Sequence, residues 1–256
     1  MLLAPIGRFV LNLMRVSGHV ALFCGGALRS LFARETYPHL WLQQAIQIGY
    51  YSLPVVAMTA FFTGGVLALQ IYYGGNQFNS EVIVASVVAL GITRELGPVL
   101  SGLMVAGRSS AAMAAELGTM RVTEQIDALV SLSTNPMNYL VAPRVAAATL
   151  TMPLLALVAD IIGIFGGYVV AVLSLDFNGA IYVQKTIDFL SPDDIISGLI
   201  KAAVFGFIIA VMGCYQGYHS RGGAQGVGRA TTNAVMTSSV LLLATNYLMT
   251  SLFFSS

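Results

Sequence analysis

The chain has 256 residues, of which 57% are hydrophobic and only 9% are charged, and its formal net charge is +1. Soluble domains carry about 25% charged residues, so this chain lacks the polar side chains needed to cover its surface in water. The composition excludes an ordinary soluble enzyme and predicts an all-α integral membrane protein with several transmembrane helices.

The N-terminal segment is predicted to form a helix over about residues 5–33. Arg8, Asn12, Arg15 and His19 recur at helical spacing, so they lie on one face and leave apolar residues on much of the rest. The arginines are spread along the segment, whereas a secretory signal gathers its charge before an apolar core. We therefore expect residues 1–40 to form an amphipathic interfacial helix, with an additional span as the alternative.

Five apolar segments follow, each near the roughly 20 residues that a bilayer requires. We expect them to form a single membrane domain over residues 41–256, with no second, soluble domain. The five predicted spans cover about residues 50–73, 82–106, 145–174, 195–217 and 233–254.

The basic residues are distributed unevenly between the predicted loops. Four lie in the N-terminal segment, three in the insert 107–144 and two in the loop 218–232, but only Lys185 lies in the two remaining loops. Cytoplasmic loops carry the excess of Lys and Arg. The N-terminus is therefore predicted to be cytoplasmic and the C-terminus to lie on the outer side.

No pattern for catalysis or metal binding stands out. The glycine-rich run 222–228 lacks the lysine of a phosphate-binding loop, and it is predicted to be a flexible turn before a fifth helix capped by Thr231 or Thr232. Cys24 and Cys214 lie in apolar contexts, so neither a disulfide nor a metal site is expected. We expect no catalytic residue, no metal and no nucleic-acid partner.

Charged residues inside the predicted spans are the best functional candidates, because each costs about 2.5–3.5 kcal/mol on insertion scales. Arg94 can contact a phosphate, whereas Glu95 can instead neutralise an arginine within the protein. Lys201 lies near the end of its span and can extend to the interface. Asp160 is interpreted as a structural hydrogen-bonding residue rather than a proton relay.

The insert 107–144 contains a short amphipathic pattern. Val122, Ile126, Leu129 and Val130 share one helical face, and the Asn135–Pro136 break ends the helix. This helix either lies on the membrane surface or docks into a groove of a soluble partner.

The run RELGPVLSGLMVAGRSSAAMAAELGTMRVTEQIDAL, followed by NPMNYLVAPR (135–144), closely resembles the signature of the MlaE/YrbE-type permease family. Members of this family are the membrane subunits of ABC transporters that work with MCE proteins. The run GVGRATTNAVMTSS (226–239) is similar to the family's second recurrent block, and the resemblance extends from about residue 40 to the C-terminus.

The resemblance implies a homodimer in the bacterial inner membrane, two cytoplasmic ABC ATPases that bind ATP and Mg²⁺, and in many cases a STAS-domain protein. It also implies a hexameric MCE ring on the periplasmic side. This chain itself would hold no cofactor. The substrates of such transporters are phospholipids or other lipids, moved between the inner membrane and the cell envelope to maintain outer-membrane lipid asymmetry.

The resemblance also assigns roles to individual positions. The last span departs from the family pattern, because Asn246 stands where many relatives carry an acid. The implied positions are Leu67, Gln70, Phe78, Arg94 and Glu95 for a lipid cavity at the dimer interface; Glu116, Arg121, Glu124 and Asp127 for ATPase coupling; and Asp194, Lys201 and Arg229 as other charged candidates.

Two other functions remain open. A secondary carrier or channel working without ATP would use Arg94, Glu95 and Asp160 as an ion path, but it leaves the docking helix without a role. A membrane scaffold would tolerate charge-neutral changes at Arg94 and Glu95.

Overall fold

The computed structural model describes residues 3–31, 37–74 and 80–254, and every regular element within those ranges is a helix. The α-helices are α1 (Leu3–Leu31), α2 (Pro38–Ile48), α3 (Leu53–Gly74), α4 (Ser80–Gly91), α5 (Gly97–Val105), α6 (Ala111–Val122), α7 (Gln125–Ser131), α8 (Ala142–Ser174), α9 (Gly179–Phe189), α10 (Pro192–Tyr218) and α11 (Gly223–Phe254). Three short π-helices lie between these elements. Ile92–Leu96 joins α4 to α5, Ala106–Ser110 joins α5 to α6, and Met137–Val141 precedes α8.

Five helical stretches are long and apolar enough to cross a membrane, which confirms the predicted number of spans. Two of them extend into residues 107–144, which were predicted to be a separate insert. The π-helical turns let the helices continue into this region without a break, and its cytoplasmic placement stays a prediction. The five stretches are Pro38–Gly74, Val82–Val122, Met137–Ser174, Pro192–Tyr218 and Gly223–Phe253.

Two pairs of tyrosines flank the first span. Tyr50 and Tyr51 precede α3, and Tyr72 and Tyr73 lie in its last turn. Tyr72 lies twenty-one residues after Tyr51, which corresponds to about 32 Å at 1.5 Å per residue. This length matches the hydrocarbon core, and aromatic residues are enriched at both of its interfaces.

The first and third spans pack closely because glycines face each other. A Cβ atom on Gly64 would overlap the carbonyl group of Gly163, and one on Gly166 would overlap the carbonyl group of Phe61. Without side chains between them, the α3 and α8 backbones come into direct contact.

The end of the bundle near α9 has a step in it. α4 and α10 run parallel, and Asp194 in the first turn of α10 contacts Arg94, which lies fourteen residues after the start of α4. The beginning of α4 therefore extends about 21 Å beyond the start of α10. α9 packs on this protruding part, where Tyr182 joins a buried cluster with Val84 and Val88. Arg94 is 37% exposed beside this step, and we call the space that its side chain faces, near the ends of α10 and α11, the recess.

α9 lies in a segment that the sequence predicted to be a loop. The Asn178 side chain caps it by accepting hydrogen bonds from the backbone N–H groups of Ala180 and Ile181, at 3.0 and 3.4 Å. Burial raises the pKa of Tyr182 to about 12, so its hydroxyl stays protonated. Eleven residues are too few for the span criterion, so hydropathy alone did not reveal this helix.

The fifth span begins earlier than predicted. α11 starts at Gly223, directly after a turn in which Gly222 and Gly223 have φ values of 89° and 68°. The hydroxyls of Thr231 and Thr232 donate to the Gly228 carbonyl inside the helix. They are therefore not N-caps, and most of the run 222–228 is helical rather than a flexible turn.

The N-terminal helix packs on the opposite end of the bundle from α9. Phe23 is buried against Tyr215 and His219 of α10, with ring centroids 5.5 and 5.8 Å apart. Arg15 and His19 are exposed or nearly so, while the side chains of Arg8 and Asn12 lie outside the described part of the chain. The interfacial placement of this helix stays a prediction.

Candidate functional site

The second span changes its winding where its charges lie. Ile92–Leu96 form a π-helix, and Gly97–Pro98 begin α5 immediately afterwards. π-Helical turns alter the direction of side chains and are frequent at functional sites. Here the turn carries Arg94 and Glu95 toward α10 and α11, which hold their partners.

Arg94 forms an ion pair with Asp194. Its Nε lies 2.6 Å from Asp194 Oδ1, and the side chains are 37% and 4% exposed. The aspartate is held by a capping box, in which Ser191 N–H donates to Oδ2 at 3.1 Å. Asp194 therefore fixes a guanidinium group that still has access to the recess.

Lys201 and Glu95 form a second, more deeply placed ion pair. Lys201 is fully buried, and its Nζ donates to Glu95 Oε1 at 2.7 Å and to Thr250 Oγ1 at 2.8 Å. The prediction that Lys201 extends to the interface is therefore wrong. Glu95 pairs with a lysine rather than with an arginine, because α10 brings Lys201 to the inner side of the π-helix.

Glu95 is satisfied at both carboxylate oxygens. Thr250 donates to Oε1 and Asn246 Nδ2 donates to Oε2, each at 2.8 Å. An acid at position 246 would place a second carboxylate against Glu95. Asn246 is thus the neutral partner that allows a single lysine to balance this cluster.

The remaining predicted cavity residues lie apart from these ion pairs. Leu67 packs against the cluster that α3, α4, α8 and α9 form near the step, and Gln70, one turn further along α3, is exposed. Phe78 lies outside the described residues. The structure therefore brings Arg94 and Glu95 together with Asp194 and Lys201, while Leu67 and Gln70 occupy a neighbouring helix.

The predicted coupling residues occupy the end of the bundle opposite α9. Arg121 Nη1 and Asp127 Oδ1 are 2.6 Å apart and link α6 to α7. Glu124 lies between these helices with a φ of 59°. Glu116 Oε2 lies 2.8 Å from Nη2 of Arg144, which is buried in α8. The set thus connects the α6–α7 corner to the third span.

The predicted helix through residues 122–130 is broken at Thr123 and Glu124, so Val122 ends α6 while Ile126 and Val130 lie in α7. Ile126 is fully buried, whereas Val122 is 38% and Val130 is 56% exposed. Leu132, just after the helix, is 76% exposed. Arg229, the other predicted charge near this end, is exposed on α11.

Arg108 is a structural residue that the sequence analysis did not single out. Its Nη1 donates to the Gln47 carbonyl and to Ser52 Oγ, both at 2.9 Å, and its guanidinium lies 5.7 Å from the centre of the Tyr51 ring. Gln47 is in the last turn of α2, where a carbonyl lacks a helical donor. Arg108 therefore fastens the second span to the α2–α3 corner.

Asp160 lies on α8 against the π-helical region. A Cβ atom on Gly97 would overlap its Oδ1, and this buried oxygen has no hydrogen-bond partner among the described residues. The predicted structural hydrogen bond is therefore not formed at Oδ1.

The described residues contain no group of three His, Cys, Asp or Glu side chains that can hold a metal ion. The site consists of two ion pairs within a helical bundle, with one arginine open to a recess. Such an arrangement is suited to holding an anionic group, since guanidinium groups bind phosphate and carboxylate through charge-assisted hydrogen bonds.

Comparison with known proteins agrees with this architecture. The family model described as "Permease MlaE" matches residues 41–252. A probable ABC transporter permease protein of Rickettsia bellii is 55% identical over 249 residues, which cover 97% of this chain and 96% of the relative.

Two more distant relatives are also similar along most of the chain. The intermembrane phospholipid transport system permease protein MlaE of Haemophilus influenzae is 30% identical over 260 residues, covering 99% of this chain and 98% of the relative. The chloroplastic protein TRIGALACTOSYLDIACYLGLYCEROL 1 of Arabidopsis thaliana is 39% identical over 215 residues, covering 83% and 61%. The chain belongs to the MlaE permease family, and it is a multi-pass membrane transport protein rather than an enzyme.

Proposed function

We propose that this chain is the permease subunit of a bacterial ABC transporter that moves phospholipids or related lipids between the inner membrane and the cell envelope. The observation that carries the proposal is Arg94, which Asp194 holds at the foot of the recess with 37% of its side chain exposed. Family membership and the phospholipid transport named for the Haemophilus relative support the substrate class.

A lipid phosphate is the anion that best fits this position. The recess lies within a bundle whose surface is apolar, so the acyl chains of a lipid can lie against the spans while the phosphate contacts Arg94. Glu95 and Lys201 neutralise each other one residue further along. Asp194 pairs with Arg94 but is only 4% exposed, so the charged surface that reaches the recess belongs to the 37% exposed guanidinium, and this favours anions over cations.

The end of the bundle opposite α9 supports the role of a separate ATPase. Val122, Val130 and Leu132 form an exposed apolar patch beside the Arg121–Asp127 pair. A groove on a soluble subunit can cover this patch. Movement of the α6–α7 corner would reach the third span through Glu116 and Arg144, and ATP and Mg²⁺ would be bound by the partner.

The exposed face of α11 supports a homodimer. Only 11% of the apolar window of this span is buried, against 33–50% for the other four. A second copy packed on α11 would place two recesses together and enclose a lipid cavity between them. The large apolar residues exposed on this helix are Met236, Val240, Leu241, Leu243, Tyr247, Leu248, Leu252 and Phe253.

In this arrangement the N-terminus and α7 lie in the cytoplasm, and α9 and the C-terminus face the periplasm. The unequal distribution of Lys and Arg supports this orientation. The recess then opens toward a hexameric MCE protein, and a STAS-domain protein would bind on the ATPase side.

The test is ATP-driven lipid transfer from vesicles that contain the permease, its ATPase and its MCE partner. Arg94→Ala is expected to reduce phospholipid photo-crosslinking to a probe at Gln70 and to slow transfer about tenfold, which equals the loss of about 1.4 kcal/mol of binding. Lys185→Ala, which removes an exposed cation on α9, is the matched control. Equal transfer without the ATPase would instead favour a secondary carrier.

A further inference from the structure

The π-helical turn of the second span is followed by a proline, which removes a backbone hydrogen-bond donor from the helix. In a regular α-helix the N–H of residue 98 donates to the carbonyl of residue 94. Pro98 has no N–H, so this bond cannot form. The carbonyl in question belongs to Arg94, whose side chain faces the recess.

Lys201 provides a replacement donor from another helix. Its Nζ lies 2.9 Å from the Arg94 carbonyl oxygen, in addition to its contacts with Glu95 and Thr250. A buried ammonium group requires several acceptors, and an unpaired buried carbonyl costs free energy of its own. One side chain therefore meets both requirements.

A glycine on α10 allows this approach. A Cβ atom on Gly198 would lie 2.5 Å from the carbonyl oxygen of Thr93, so only glycine leaves the two backbones at their observed separation. Lys201 follows one turn later on the same face of α10. The spacing places its Nζ against the next carbonyl along the π-helix.

We propose that Lys201 is a positioning residue for Arg94, acting on the arginine's backbone carbonyl rather than on the ligand. The bond fixes the end of the π-helix, and so it sets the direction in which the Arg94 side chain leaves the second span toward Asp194. The inference rests on the proposed function only in taking Arg94 as the lipid contact. The same contact makes the shape of the second span depend on the Glu95–Lys201 pair.

The experiment restores the missing N–H. Glu95→Gln/Lys201→Met removes the ion pair without leaving a single buried charge, and Pro98→Ala is then added to give the residue 94 carbonyl a helical donor. Pro153→Ala is the matched control, since Pro153 is the proline inside α8 and its carbonyl partner lies away from Lys201. Hydrogen exchange of a peptide covering 91–105 is measured by mass spectrometry on the purified full chain.

The double variant is expected to exchange about five- to tenfold faster than wild type over 91–105, since about 1 kcal/mol of hydrogen bonding is lost. Pro98→Ala should reverse most of this increase, and Pro153→Ala should not. Phospholipid crosslinking at Gln70 should recover in parallel. Equal effects of the two alanines, or no local increase in exchange, would overturn the assignment.

A variant that keeps every charge covers the case in which the double variant does not fold. Pro98→Ala alone is expected to exchange no faster than wild type over 91–105, because the N–H that this substitution introduces then supplies the helical bond. Faster exchange would contradict the proposal.

If wild-type protein fails to crosslink phospholipid, the proposed lipid function is wrong. The exchange data still decide what Lys201 does.

Discussion

Arg94 in the middle of the second span and Asp194 in the first turn of the fourth are joined by a 2.6 Å ion pair. The pair joins the first turn of α10 to the π-helix of the second span, beside the recess. The aspartate is 4% exposed and the arginine 37% exposed. Such a pair orients the more exposed partner at the expense of desolvating the other.

Asp194→Asn should release Arg94. The exchange removes the carboxylate but keeps a side chain that can accept from the Ser191 N–H, so the cap of α10 is largely preserved. We expect the loss of about 1–3 kcal/mol of stability, measured by thermal unfolding in detergent, and weaker phospholipid crosslinking. Asp193→Asn is the control, because Asp193 is exposed in the same helical turn. Equal effects at both positions would show that the ion pair is unimportant.

Removing either member of the Glu95–Lys201 pair should be worse than removing both. Glu95→Gln leaves the fully buried Lys201 ammonium without its carboxylate, which typically costs about 3–5 kcal/mol, whereas Lys201→Met leaves a carboxylate that is 35% exposed and should cost less. Glu95→Gln/Lys201→Met leaves no net charge and should retain more folded protein. The yield of monodisperse protein and its unfolding temperature measure the difference. Additive losses in the double variant would argue against direct coupling.

Hydropathy was sufficient to predict the five spans, because each contains a long apolar stretch with few charges. It could not show that Glu95 pairs with Lys201, since 106 residues separate them and no local pattern links the two. α9 was missed because it is short and amphipathic, although Asn178 is a cap signal. Pro98 was the one visible sign of the altered winding at residues 92–96.

The glycine contact between the first and third spans should not tolerate a methyl group. Gly64→Ala would drive a Cβ atom into the Gly163 carbonyl, and both backbones are held by their own helices. Overpacking of this kind typically costs about 1–3 kcal/mol or more. Gly74→Ala, at the open end of the same helix, meets no atom within 4 Å and should be neutral. The unfolding temperatures of the two variants give the comparison.

The corner between α6 and α7 should affect coupling far more than stability. Arg121 and Asp127 are 35% and 60% exposed, and exposed ion pairs contribute about 0–1 kcal/mol. Arg121→Asp or Asp127→Arg alone should therefore leave the permease folded but reduce the ATPase stimulation that lipid produces in the assembled complex. The double variant Arg121→Asp/Asp127→Arg swaps the two side chains and so restores the ion pair with the charges reversed. Recovery of stimulation would assign the effect to the shape of the corner, because the pair is then intact. Persistent loss would assign it to direct contact of these charges with the ATPase, and wild-type stimulation in both single variants would contradict the coupling role.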